Sequence, residues 1–282
     1  MKFGVSLWLW TSPVTNKIIE EYAPKIAEMG FDTIEVPLED PDSLDCPAAR
    51  KVIEENGLSV TCCAAMGAGR DLVHPDQSVQ NQGIEYIRKA IQATADMGSD
   101  VLAGPIYAEV GRLWSMTVEE RKIQEDLLTA QLSKLSKHAG SHGVTICVEP
   151  LNRFETSFLN LTSQVKSIIE QVNEPSCKIG FDLFHAGIEE KNLGDAIRIA
   201  GEHLFHLQVA ENDRGIPGTG QFNWKEVAVA LKDIGYNRHV VIETFSPGNE
   251  ILAKAAAIWR PLAESPDTLA TEGLHFLRNL LT

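Results

Sequence analysis

The chain has 282 residues, of which 44% are hydrophobic and 23% are charged, and its formal net charge at pH 7 is −14. This negative charge, with basic residues scattered along the chain, argues against binding to nucleic acid or to an anionic membrane surface. No apolar run approaches the about 20 residues of a membrane-spanning helix, and the N-terminal segment lacks the pattern of a signal peptide. We therefore expect a cytoplasmic protein, in which the five cysteines are reduced and buried.

Short apolar strands alternate with longer amphipathic helices along the whole sequence. The predicted strands cover residues 2–8, 33–38, 59–66, 101–107, 145–148, 178–183, 204–210 and 240–245. The predicted helices cover residues 16–29, 47–56, 79–97, 118–141, 163–172, 194–200 and 224–234, and two further helices close the chain. This alternation, without a strand-only or helix-only block, predicts a parallel sheet.

Eight strand–helix units are the number that closes a (β/α)8 barrel, which is the predicted α/β fold. An open doubly wound sheet is the alternative, but residues 9–14 lack the glycine-rich fingerprint that follows the first strand of such a sheet. Barrels of about 250 residues fold as one unit, and no linker composition interrupts this sequence. Residues 1–282 are therefore predicted to form a single barrel domain with extra C-terminal helices.

Metal-competent oxygens stand at the carboxyl ends of the last four predicted strands, where the chemistry of such barrels takes place. Strands five, six and eight end at Glu149, Asp182 and Glu243, and strand seven carries Gln208. Carboxylates held close together repel one another unless a cation lies between them. Three carboxylates and one carboxamide make an oxygen-rich site, which favours Mn²⁺ first, and Mg²⁺ or Co²⁺ after it, over Zn²⁺ held by Cys and His.

Each of these residues has an ordinary explanation when it is taken alone. A glutamate at a strand end is more often solvated, Asp182 can cap the next helix, and Gln208 can bond within the barrel interior. His206 is interpreted as a core histidine with a satisfied hydrogen bond. The occurrence of such oxygens at the same end of four consecutive strands is what favours a metal site.

Four segments resemble the sugar isomerase/epimerase superfamily of xylose-isomerase-like barrels: V-E-P-L-N-R-F-E (148–155), G-F-D-L-F-H-A-G-I-E-E (180–190), E-N-D-R-G-I-P-G-T-G (211–220) and V-I-E-T-F (241–245). Within that superfamily the chain is most similar to the D-tagatose 3-epimerase family, which includes the D-allulose (psicose) 3-epimerases. The resemblance implies a (β/α)8 barrel, a divalent metal, a small sugar substrate and a homodimer or homotetramer.

The resemblance also implies the metal ligands. Glu149, Asp182 and Glu243 match three of the family's four ligands, whereas the fourth, a histidine in the family, falls on Gln208. Hydroxypyruvate isomerases of the same superfamily resemble this chain in placing a glutamine there. The departure keeps a neutral ligand but replaces nitrogen by oxygen, and it bears on the identity of the substrate more than on the metal.

Contacts to the substrate follow from the same resemblance. His185 and Arg214 match the residues that hold the oxygens at the C1–C2 end of the sugar, and Glu155 matches a glutamate beside the metal site. Three further residues are expected in the pocket wall without a matching motif: Trp8, Cys63 and Trp114.

Together these expectations predict an isomerase that inverts C3 of a free ketose of the D-tagatose, D-allulose or D-fructose type. The metal polarises the C2 carbonyl, one of Glu149 and Glu243 removes the C3 proton, and the other returns a proton to the opposite face through an enediolate. One alternative is an isomerase or epimerase of hydroxypyruvate, of an aldose–ketose pair or of a 3-keto sugar on the same metal site. Another is a non-catalytic sugar-binding barrel.

Two structural alternatives also stay open. Arg214 is the single basic residue in the loops after strands seven and eight, which disfavours a phosphorylated substrate, although amides of residues 218–220 can bind phosphate. Apolar residues of the last helix either supply a subunit interface or cover the barrel: Leu269, Leu274, Leu277 and Leu280.

Overall fold

The computed structural model describes residues 1–248 and 250–282, with side chains for all of these except residues 250 and 251. Eight parallel strands pair in chain order, and the first strand pairs with the last, so the sheet is a closed barrel. The strands are β1 Lys2–Ser6, β2 Thr33–Pro37, β3 Ser59–Cys63, β4 Val101–Gly104, β5 Thr145–Val148, β6 Cys177–Asp182, β7 Leu204–Val209 and β8 His239–Ile242. The predicted (β/α)8 barrel is confirmed.

Within the described residues, ten α-helices surround or extend the barrel. They are α1 Asn16–Glu28, α2 Cys46–Glu55, α3 Gln77–Asp96, α4 Val118–Ser141, α5 Thr162–Val172, α6 Leu183–Glu189, α7 Leu193–Ala200, α8 Trp224–Asp233, α9 Glu250–Ala255 and α10 Pro266–Leu281. The short helix α6 is not predicted by its apolar pattern. It begins directly after β6, and the Asp182 side chain caps it by accepting the Phe184 N–H at 2.8 Å.

Four strands end two or three residues earlier than predicted: β1, β3, β4 and β8. The apolar residues beyond these strand ends are buried without being paired in the sheet, since Leu7 and Leu9 form a 3₁₀ turn and Ala64 and Met66 belong to a loop. Burial alone therefore does not separate a strand from the buried loop that follows it.

The core lies between the barrel and its helices, and every residue of β2 and β4 is buried, as expected for a parallel sheet covered on both faces. The five cysteines are buried free thiols, as predicted. Leu269, Leu274 and Leu277 of α10 are buried, and this helix packs against β1, β8 and α8. Of the two alternatives for the last helix, covering the barrel is the one observed for these three leucines.

None of the described helices combines the length and the apolar character that crossing a bilayer requires.

Candidate active site

A cavity with a volume of about 390 Å³ opens at the carboxyl ends of the strands. This volume is within the usual range for a small-molecule site. Six of the predicted site residues line it together: Trp8, Glu149, Glu155, His185, Arg214 and Glu243. Two of the strand-end residues, Glu149 and Glu243, thus line one cavity, and the buried Gln208 is hydrogen-bonded to Glu243.

Strand pairing delivers the four predicted metal ligands to this position. Glu149 and Glu243 each follow the last residue of a strand, and each donates its backbone N–H to a carbonyl of the preceding strand, at 3.2 and 3.1 Å. Asp182 and Gln208 are register partners in the pairing of β6 with β7. All four side chains belong to residues that are at most 5% exposed, so water does little to stabilise their charges.

The guanidinium of Arg214 lies among these carboxylates. Its Nη1 atom donates to Asp182 Oδ2 at 2.7 Å and to Glu243 Oε2 at 3.0 Å. The loop holds this arginine with a positive φ of 65°, its carbonyl accepts a hydrogen bond from the Thr244 hydroxyl, and its guanidinium stacks 4.1 Å from the Phe184 ring centroid. Arg214 therefore supplies a positive charge that partly offsets the repulsion between the carboxylates.

The carboxylates bind protons more readily than exposed ones. Burial raises the pKa of Glu149 well above its ordinary value, and the charges of Glu243 and Asp182 raise it further. Burial raises the pKa of Glu243 to about 8 although Arg214 opposes this shift. Burial also raises the pKa of Asp182. A bound divalent cation would lower these pKa values, because its positive charge favours the ionised form of each carboxylate.

Gln208 leaves one oxygen free toward such a cation. Its Nε2 atom donates to Glu35 Oε1 at 3.0 Å and to Glu243 Oε1 at 2.8 Å. Its Oε1 atom is buried and has no hydrogen-bond partner among the described residues. An unpaired buried carbonyl oxygen is costly, and a bound cation would satisfy it. The residues present therefore fit a divalent metal held by three carboxylates and one amide oxygen.

His185 lies beside the same carboxylates. Its Nε2 atom is 3.6 Å from both Glu149 Oε1 and Asp182 Oδ2, and its Nδ1 atom accepts the Asn152 backbone N–H at 3.2 Å. Donors face both ring nitrogens, since Arg214 Nη2 lies 3.2 Å from Nε2 and the Asn152 amide groups lie at Nδ1. Burial first, and then Arg214, keep the pKa of His185 well below its ordinary value, so the ring is neutral near pH 7.

Trp8 and Glu155 also line the cavity. Trp8 packs against Phe245, with the ring centroids 5.9 Å apart, and together they form an apolar wall. Glu155 accepts a hydrogen bond from Asn152 Nδ2 at 2.9 Å, and burial raises its pKa. These positions agree with the expected substrate contacts, whose roles stay predictions.

Two of the three residues expected in the pocket wall do not line this cavity. Cys63 is buried inside the barrel, where its Sγ atom lies within 4.8 Å of carboxylate oxygens of Glu35 and Glu243. Trp114 lies in the loop before α4, with the Arg112 guanidinium 3.5 Å from its ring centroid and Phe158 beside it. Neither side chain is among the residues that line the cavity, and their roles as substrate contacts stay predictions.

Glu35 is a functional candidate that the sequence analysis does not select. It lies in β2, is fully buried, and accepts hydrogen bonds from His206 Nε2 at 2.7 Å and Thr61 Oγ1 at 3.3 Å as well as from Gln208. The interpretation of His206 as a hydrogen-bonded core residue is confirmed for Nε2. A single charged residue within the otherwise uncharged strand T-I-E-V-P is the signal that could have identified it.

The glycine-rich loop before α8 is folded around another buried carboxylate. Glu211 accepts the Gly218 N–H at 3.1 Å and the indole N–H of Trp224. The Gly218 N–H is therefore already hydrogen-bonded within the protein and is not free to bind a phosphate.

A family model described as the xylose isomerase-like TIM barrel matches residues 23–280. The chain belongs to the xylose isomerase-like TIM barrel family. The resemblance stated from its motifs is thereby confirmed.

Similar members of this barrel family are epimerases. A probable ketose 3-epimerase of Synechocystis sp. is 32% identical over 99% of this chain and 96% of its own length. A ketose 3-epimerase of Arthrobacter globiformis is 29% identical over 100% of this chain and 97% of its own length. The D-allulose 3-epimerase from Methylomonas sp., solved in complex with D-allulose, has a TM-score of 0.93 and 26% identity, covering 99% of this chain and 97% of that chain.

Proposed function

We propose that this protein is a metal-dependent ketose 3-epimerase, which inverts C3 of a free ketose of the D-tagatose, D-allulose or D-fructose type. The observation that carries the proposal is the pair of buried glutamates, Glu149 and Glu243, in one cavity of sugar size. They follow β5 and β8, three steps apart in a closed barrel of eight strands, so they approach a bound sugar from different sides. The ketose 3-epimerases among the similar proteins support the same reaction.

Four residues would hold the metal: Glu149, Asp182, Gln208 and Glu243. When it is bound, the cation polarises the substrate carbonyl and stabilises negative charge on the adjacent oxygens. The oxygen-only set of donors supports Mn²⁺ as the first choice, and Mg²⁺ or Co²⁺ as the next.

The two glutamates move the proton at C3. One of Glu149 and Glu243 removes it from one face, and the other delivers a proton to the opposite face. Burial raises the pKa of each glutamate, which makes it a stronger base than an exposed glutamate, and a bound cation opposes this shift. Inversion follows because neither group has to cross the substrate.

His185 and Arg214 orient the sugar. The imidazole of His185 and the guanidinium of Arg214 both line the cavity, and both suit the oxygens at the C1–C2 end. Glu155, linked to His185 through Asn152, supports this ring from the opposite edge.

Oligomerisation is proposed at the face beside the cavity. Hydrogen bonds from the Arg121 guanidinium to the carbonyls of Ser157 and Phe158 join the loops around β4 and β5. Four large apolar residues of these segments are exposed: Leu113, Val118, Ile123 and Phe154. We assign these four residues to a subunit contact in a homodimer or homotetramer. Light scattering after size-exclusion chromatography measures the oligomeric state and tests this assignment.

The test of the reaction is NMR of products formed in D₂O from ketoses, 3-keto sugars and hydroxypyruvate, with Mn²⁺ and with chelator. We expect deuterium at C3 of the epimer with Mn²⁺ and none with chelator. Label at C2 of a product whose carbonyl has moved to C1 contradicts the proposal in favour of an isomerase. Binding without deuterium exchange contradicts it in favour of a sugar-binding barrel.

The roles of the glutamates are tested separately. Glu149→Gln and Glu243→Gln, each checked for retained metal, should lose a factor of about 10² to 10⁴ in kcat, because each removes an acid–base group. Glu20→Gln on the exposed surface of α1 is the control and should keep the normal rate. Near-normal epimerisation by either metal-bound variant contradicts the assigned roles.

A further inference from the structure

A buried polar group lies inside the barrel beneath the proposed metal ligands. Glu35 of β2 accepts a hydrogen bond from Gln208 Nε2 at 3.0 Å and another from His206 Nε2 at 2.7 Å. The three residues are at most 1% exposed, and none of them lines the cavity. We propose that Glu35 is a positioning residue, which holds the Gln208 carboxamide with its oxygen toward the metal. The inference rests on the metal site of the proposed function, but not on the reaction.

The partners of Gln208 determine which way its amide faces. Its Nε2 atom lies between two carboxylate oxygens, one of Glu35 and one of Glu243, and each accepts one of its two N–H bonds. A rotation of the amide by 180° would place its oxygen against both carboxylates and would leave the N–H groups without these acceptors. The orientation with Oε1 free is therefore the one that the surrounding charges favour.

Of the two acceptors, Glu35 is the one that stays constant. Glu243 lines the cavity and is proposed to bind metal and to carry a proton, so its hydrogen bond to Gln208 changes during the reaction. Glu35 is away from the cavity and is held by His206 and by the Thr61 hydroxyl. It therefore keeps the amide in place while the Glu243 carboxylate is engaged elsewhere.

The ring of His206 makes a sharp test available. Its Nδ1 atom has no hydrogen-bond partner among the described residues, so the ring can carry its proton on either nitrogen. Its Nε2 atom can therefore either donate a hydrogen bond to residue 35 or accept one from it. In Glu35→Gln, the new carboxamide can donate to the His206 nitrogen and still accept from Gln208. This variant loses the negative charge but keeps the acceptor, whereas Glu35→Met loses both.

The experiment measures Mn²⁺ affinity by isothermal titration calorimetry on the metal-free full chain. We expect Glu35→Met to bind Mn²⁺ about 10- to 100-fold more weakly, as for other residues that orient metal ligands. Glu35→Gln should stay within about threefold of the unchanged protein, because its amide keeps the acceptor. Glu20→Met on the exposed surface of α1 is the control for the loss of a carboxylate and should bind normally. Circular dichroism monitors folding, and Glu35→Ala replaces Glu35→Met if the latter does not fold.

Three results would overturn the inference: normal Mn²⁺ affinity in Glu35→Met, equal weakening in Glu35→Gln and Glu35→Met, or no Mn²⁺ binding by the unchanged protein. Equal weakening would mean that Glu35 acts through its charge. The failure of the proposed function has a different signature, since a chain that binds Mn²⁺ with this pattern and forms no C3 epimer retains the positioning role of Glu35.

Discussion

Gln208 occupies the position at which the sequence resemblance places a histidine ligand. The exchange leaves the charge of the site unchanged and turns a nitrogen donor into an oxygen donor. Oxygen donors suit Mn²⁺ and Mg²⁺, whereas imidazole raises the affinity for the later transition metals. The identity of this one side chain therefore bears on which cation the protein selects.

Gln208→His should shift this selectivity. We expect the ratio of Co²⁺ to Mn²⁺ affinity to rise about tenfold, because an imidazole nitrogen replaces the amide oxygen. Competition titrations of the metal-free protein measure the ratio. An unchanged ratio in a folded variant would show that residue 208 does not contact the cation.

Arg70 is a cavity-lining residue that sequence analysis does not select. Its guanidinium stacks 3.9 Å from the Tyr86 ring centroid and its Nη1 donates to the Glu39 carbonyl, but no carboxylate of the described residues lies within 4.0 Å of its nitrogens. Its remaining donors are available to substrate oxygens.

Arg70→Met should raise KM for the preferred ketose about tenfold and leave kcat nearly unchanged, because the loss is one of binding and not of proton transfer. Steady-state kinetics with the metal-saturated enzyme measure both constants. Arg88→Met on α3 serves as a control for the loss of a positive charge outside the cavity. A fall in kcat with constant KM would contradict a binding role for Arg70.

Among the secondary-structure elements, the end of β4 sets the position of Glu149. The carbonyl of Gly104 accepts the Glu149 N–H at 3.2 Å, and Gly104 has a φ of 130°. A Cβ atom added there would lie 2.1 Å from the Ala64 carbonyl oxygen, which is backbone and cannot rotate away. Both the strained φ and the clash require glycine at this point.

Gly104→Ala should lower the free energy of unfolding by about 2 kcal/mol or more and also reduce kcat, since the strand must shift and carry Glu149 with it. Urea unfolding and initial rates measure the two effects. Gly67→Ala is the control for stability, because its added Cβ has no neighbour within 4 Å. Normal stability of Gly104→Ala would contradict the steric constraint at the end of β4.

The element boundaries show which parts of the fold can be predicted from local sequence patterns and which cannot. The alternation of apolar strands and amphipathic helices is predictable because it depends on residues close together in sequence. Helix α6 escapes prediction because only seven residues form it and a side-chain cap at Asp182 starts it. The packing of Trp114 on Arg112 escapes prediction because loop conformation has no periodic signal.

At the scale of the whole molecule, burial also disfavours a positive charge on a histidine that does not line the cavity. His239, the first residue of β8, has no hydrogen-bond partner for either ring nitrogen among the described residues. Burial, and then His206, lower the pKa of His239 to about 4. Between pH 6.5 and 4 the unfolded chain therefore binds a proton that the folded barrel excludes.

The folded state therefore loses stability relative to the unfolded state as the pH falls from 6.5 toward 4, and this loss is absent above pH 6.5. His239→Leu should reduce the loss of unfolding free energy between pH 7 and pH 4.5 by up to about 3 kcal/mol. Urea unfolding at the two pH values measures this difference. The exposed His275→Leu is the control, and an equal pH dependence in His239→Leu and the unchanged protein would contradict the assignment.

The amino-acid sequence alone specifies the barrel and the set of residues at the strand ends, because apolar periodicity and the end of an apolar run are local properties. Glu149 is recognisable as a carboxylate directly after a buried strand. Tertiary contacts, in contrast, establish that Gln208 is held by Glu35, 173 positions away, and that Arg214 lies between Asp182 and Glu243. Such contacts depend on strand register and on the closure of the sheet, which bring distant residues into one low-dielectric space where hydrogen bonds and charges determine their orientation.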